Sequence, residues 1–120
     1  MKDESCSKFF ETNYVTVHLT VEENAANKNL ENPGGDAVRI KYHGDSAGLP
    51  FWVILDKDGK LLGDSFIRKP GVSMDKAGEN IGCPASDEEV AAFIALLKKT
   101  SKLTSEESII ITKRFKQNKA

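Results

Sequence analysis

The clearest periodicity in the chain is an alternation running from Tyr14 to Val21. Val15, Val17, Leu19 and Val21 point to one face, and Tyr14, Thr16, His18 and Thr20 to the other. That is the pattern of a strand with one apolar face. Ahead of it, Cys6, Phe9 and Phe10 recur at i, i+3, i+4, which predicts a short helix over 2–12. Residues 22–36 are polar and Asn-rich, and Asn32-Pro33-Gly34-Gly35 breaks them, so a loop or short helix flanks that break. Asp36 is expected to cap a helix of about two turns through Val38, Ile40, Lys41 and Tyr42.

A second break runs from Gly44 to Pro50. Phe51-Trp52-Val53-Ile54-Leu55 is apolar on both faces, which predicts an interior strand. Asp56-Lys57-Asp58-Gly59 then turns the chain, with Gly59 suited to positive φ, and a weaker strand returns over 60–67 as the second arm of a hairpin. Residues 68–85 read as irregular. Ser86-Asp87-Glu88-Glu89 is a capping box that opens an amphipathic helix over 87–100, with Val90, Phe93, Ile94 and Leu97 on one face. A second box, Thr104-Ser105-Glu106-Glu107, opens a last helix over Ile109, Ile110, Ile111 and Phe115, although three consecutive isoleucines favour a strand intrinsically.

The order helix, strand, helix, Gly-x-Pro, hairpin, helix resembles the thioredoxin-like superfamily. Ala47-Gly48-Leu49-Pro50-Phe51-Trp52 is similar to the segment where that family places a cis-proline before a strand, and Leu55-Asp56-Lys57-Asp58-Gly59-Lys60 to a hairpin typical of its bacterial members. Asn80-Ile81-Gly82, followed by Ser86 to Lys99, is similar to the C-terminal helix region of exported proteins of the disulfide-isomerase type. The resemblance implies an α/β fold of thioredoxin type over 1–103, with 104–120 as a C-terminal helical extension. It also departs from the family. The central strand and the Cys-x-x-Cys at the start of the first helix have no counterpart here, so the expected fold is incomplete at its N-terminus. Met1 then reads as an internal methionine of a longer parent, or the chain as a variant without the redox motif.

Two functional readings follow from the resemblance. One is a thiol–disulfide oxidoreductase lineage whose activity this chain lacks, with no catalytic residue assigned. The other is a non-enzymatic module that holds an extended peptide or protein segment on the face formed by Leu49 and Pro50. The family likeness implies a periplasmic or extracytoplasmic location. Without the central strand, the strands at 14–21 and 51–55 lose the neighbour that separates them, and the vacant edge becomes a surface along which two copies would form a homodimer.

Composition narrows the choice. At 120 residues, 39% apolar and 29% charged, with a net charge of −1, the chain fits one globular domain rather than a disordered segment or a nucleic-acid binder. The charge is uneven: seven basic residues lie in 98–120 against Glu106 and Glu107, and lysines at helix ends ordinarily compensate the dipole. The runs Phe51 to Leu55 and Val90 to Leu97 are too short to span a bilayer, so no membrane role is expected. No basic-then-apolar leader opens the sequence, so the expectation is that a signal peptide is absent or already removed.

Cys6 and Cys83 are the only cysteines, too few for a disulfide scaffold or a structural zinc site. Cys6 lies on an apolar helix face and is expected to be buried. Cys83 precedes Pro84 and a helix start, where the dipole favours a thiolate, so it is a candidate redox thiol. A Cys6–Cys83 bridge would make a redox sensor and, on the chain-entropy model, add roughly 4 kcal/mol. His18 and His43 lack a second ligand in register, and Lys60 and Leu61 spoil the calcium-loop likeness of Asp56 and Asp58. No metal and no cofactor is expected.

Overall fold

The structure, a computed structural model, describes residues 4–23 and 25–118. Met1, Lys2 and Asp3 at the head of the expected first helix lie outside the described residues, as do Asn24 and the last two residues of the C-terminal extension. The chain forms helix α1 (Glu4–Asn13), a 3-10 turn (Ala25–Leu30), α2 (Gly35–Lys41), strands β1 (Val53–Leu55), β2 (Leu61–Asp64), β3 (Phe66–Ile67) and β4 (Glu79–Asn80), then α3 (Asp87–Thr100) and α4 (Ser105–Lys116). It is a mixed helix-and-strand protein in which β1 pairs with β2 and β3 with β4, both antiparallel.

Three helices make the core. Cys6, Phe9 and Phe10 of α1 meet Val90, Phe93, Ile94 and Leu97 of α3 and Ile111 and Phe115 of α4, all buried. These are the positions that helical periodicity picks out, because side chains at i, i+3, i+4 and i+7 share a face. At the centre, the Phe93 and Phe115 rings lie 5.0 Å apart and Trp52 meets Phe93 edge-on at 5.5 Å. Each fully buried side chain of this size is worth about 1.5–3 kcal/mol over exposure. The last helix, read from sequence as an extension, contributes Ile111 and Phe115 to the same core as the rest. Both capping boxes form: Ser86 and Thr104 accept from the amides of Glu89 and Glu107, whose carboxylates reach back to the cap residues.

The 14–21 strand does not form. Val15 and Val17 are 95% and 73% exposed, and no backbone hydrogen bond is made by residues 15–19 among the described residues. A strand needs a paired edge, and none lies beside this one, so alternation alone cannot hold it. The segment is tied only at its ends. The Tyr14 ring packs on the core and its hydroxyl meets Thr100 Oγ1 at 2.5 Å, while Thr20 exchanges bonds with Asn32 through its N–H and carbonyl.

Three smaller expectations also change. Asp36 is not the cap of α2: Gly34, at φ +79°, holds that place, and Asp36 sits in the first turn. Strand β1 is not interior, since it has one partner and only half-buried or exposed residues. The returning strand splits at Ser65, which is fully buried. Its Oγ accepts from Trp52 N and its N–H donates to Trp52 O, while its carbonyl accepts from Ile81 N, so the chain changes partners there and 68–85 acquires β4. The hairpin turn forms around Gly59 at φ +83°, and Asp56 Oδ1 accepts from the amides of Asp58 and Lys60 at 2.9 Å each. That carboxylate is committed to its own turn.

Candidate functional site

The predicted site residues Leu49 and Pro50 lie together on the surface, in a segment held from behind. Asn80, at the end of β4, donates from Nδ2 to the carbonyls of Gly48 at 2.6 Å and Pro50 at 3.2 Å, and its Oδ1 accepts from Gly82 N. Trp52 donates from Nε1 to the Gly82 carbonyl at 2.8 Å. Gly82 is at φ +53°, and a Cβ there would lie 3.4 Å from Pro50 Cδ, so the small residue fits both the backbone turn and the close approach. The Leu49–Pro50 peptide bond is cis.

This clamp leaves one side free. Leu49 is 50% exposed, Pro50 is exposed, and the N–H and C=O of Leu49 take no hydrogen bond among the described residues. The result is a bent stretch of surface backbone with unused polar groups at Leu49, flanked by apolar side chains. Unpaired backbone groups exposed in this way can take hydrogen bonds from an extended peptide. A half-open hollow between the β-hairpin and α3 measures about 160 Å³ and is lined by Trp52, Gly63, Phe66, Ile81 and Leu96. That is below the roughly 300–1,000 Å³ of small-molecule sites, so at this end of the molecule the exposed segment rather than the hollow is the candidate.

Cys83 follows Gly82 directly and is exposed. Asn118, just past α4, donates from Nδ2 to Cys83 Sγ and to the Pro84 carbonyl, both at 3.3 Å, so the end of α4 latches onto the edge of the site. Cys6 is elsewhere, 1% exposed in the helical core, and both cysteines are free thiols. The structure therefore groups Leu49, Pro50 and Cys83 and leaves Cys6 apart. His18 and His43 are exposed, and among the described residues no group of three or more His, Cys, Asp and Glu side chains is placed to hold a metal.

Just beyond Cys83, the Glu89 carboxylate accepts from the amides of Ala85 and Ser86 at 3.1 Å each. Those backbone bonds, Ser86 first, hold its pKa below the ordinary glutamate range. The supporting residues Trp52, Ser65, Asn80 and Asn118 were not singled out by sequence reasoning. The nearest signal was Asn80-Ile81-Gly82, an Asn two residues before a Gly and close ahead of a capping box. Among the described residues, no helix is long and apolar enough to cross a membrane. Comparison with known proteins finds no matching family model, no matching curated protein and no matching solved structure.

Proposed function

We propose that this chain is a non-enzymatic binding module that takes up an extended peptide or protein segment along Leu49 and Pro50. The carrying observation is exposed Leu49, whose N–H and C=O take no hydrogen bond among the described residues while Asn80 holds the Gly48 and Pro50 carbonyls on either side of it. A preorganised segment of this kind lowers the ordering cost of binding, because the carbonyls on either side of Leu49 are already held. Main-chain hydrogen bonds to Leu49 would supply affinity, and contact with the Leu49 and Pro50 side chains would favour apolar residues in the peptide. The thioredoxin-like, oxidoreductase-lineage reading belongs to the same proposal. It rests on the Gly-x-Pro segment, the Asp-x-Asp-Gly hairpin and the helix after Cys83, and it assigns the chain a binding face without a Cys-x-x-Cys.

The test is selection from a random displayed-peptide library, followed by titration of the selected peptides into wild-type protein and Leu49→Asp. Leu49 is exposed, so the variant should fold, which circular dichroism would verify. Apolar, extended peptides whose affinity drops at least about tenfold, or about 1.4 kcal/mol, in the variant are the expected result. Peptides that bind both proteins equally would place the binding face elsewhere and end the proposal.

A further inference from the structure

A separate feature of the molecule concerns α4. Its inner face, Ile111 and Phe115, belongs to the core, yet its outer face carries Ile109 and Ile110, which are 69% and 44% exposed. Glu106 and Lys113 flank these isoleucines on the same stripe, at i, i+3, i+4 and i+7. Both charged residues are exposed, and neither has an ion-pair partner among the described residues. Beside the stripe runs a groove of about 360 Å³ between α1 and α4, walled by Lys8, Phe9, Thr12, Glu107 and Ile110.

We propose that this face binds a second copy of the same chain, with the two α4 helices packed antiparallel. Charge fixes both the occupant and the direction. In an antiparallel pair centred between Ile109 and Ile110, Glu106 of each copy lies opposite Lys113 of the other, and the four isoleucines meet between the two ion pairs. A parallel pair would set Glu106 on Glu106 and Lys113 on Lys113. The antiparallel arrangement also opposes the helix dipoles. It is isologous: the same patch serves both copies, as a two-fold interface requires. The groove beside Ile110 extends the contact and receives the edge of the second copy's helix. One helix face with its groove is small against the roughly 800 Å² per partner of a standard interface, so the dimer is weak and concentration-dependent.

Sedimentation velocity over a concentration series tests this. The wild-type mass should rise from 13.2 kDa toward twice that value. Ile109→Glu should stay monomeric at every concentration. Glu106→Lys alone and Lys113→Glu alone should each weaken association about tenfold, since each replaces two attractive pairs with two repulsive ones. The double variant E106K/K113E should recover it, because the swap restores opposite charges only in the antiparallel register. These side chains are exposed, and unchanged helical circular dichroism confirms that each variant folds. A wild-type chain that stays monomeric throughout overturns the proposal, as does a double variant no better than the single ones. Binding of wild type to anionic vesicles without self-association would also overturn it, assigning the face to a membrane surface. The residues involved are not those of the peptide-binding segment, so Leu49→Asp should leave the dimer intact, and each proposal can fail alone.

Discussion

Ser86 and Glu89 show how much a few local bonds contribute at the start of α3. The Ser86 side chain satisfies the Glu89 amide, and the Glu89 carboxylate satisfies two amides in return. Replacing Ser86 with Ala should cost about 1 kcal/mol, within the 0.5–2 kcal/mol usual for such caps, measured by urea denaturation at neutral pH. The carboxylate adds a pH dependence. Its folded pKa lies below its unfolded value, so its contribution is complete above the ordinary glutamate pKa of about 4.3 and is lost as pH falls through the lower folded value. Wild-type stability should therefore fall on acidification more steeply than that of Glu89→Gln, which has no such proton to take up. Equal slopes would mean that the box adds nothing through charge. Residues of this kind were legible in the sequence because donor and acceptor sit three positions apart. Asn80 was not, because the carbonyls it holds belong to Gly48 and Pro50, some thirty residues earlier in the chain.

Among the elements, the loop between β3 and β4 depends on one ion pair. Arg68 binds both Asp64 carboxylate oxygens, at 2.8 and 2.6 Å, and donates also to the carbonyls of Met74 and Lys76. The Asp64 side chain is 1% exposed, so removing its partner leaves a buried charge. Arg68→Ala should destabilise by about 3 kcal/mol, the low end for breaking a buried pair because Arg68 is partly solvated, and should speed proteolysis within 69–78. An unchanged cleavage rate would mean that the loop is held by other contacts. The helices at 87–100 and 105–116 could be read ahead because periodicity and caps are local. The strand at 14–21 could not, because a strand is stable only through a neighbour, and sequence alternation names the face without naming the partner. The split of the returning strand at Ser65 had no local sign either, since it follows from bonds to Trp52 and Ile81.

At the scale of the molecule, one helical core supports two outward surfaces, the clamped segment at Leu49 and the isoleucine face of α4. Asn118 links them, because it sits just past α4 and bonds to Cys83 Sγ and the Pro84 carbonyl. The mixed helix-and-strand class was legible, as were most core residues, since Cys6, Phe9, Phe10, Val90, Phe93, Ile94 and Leu97 follow helical spacing. The participation of α4 in that core was not, because a helix with apolar residues on more than one face does not declare which face is covered. The most direct measurement is residue-resolved amide hydrogen exchange. Amides of α1, α3 and α4, together with those of Ser65 and Ile81, should exchange slowly and over a similar range, while Val15 to Leu19 exchange fast. Slow exchange from Val15 to Leu19 would mean that the segment is a paired strand, and fast exchange throughout α4 would detach it from the core. Either result would contradict the account.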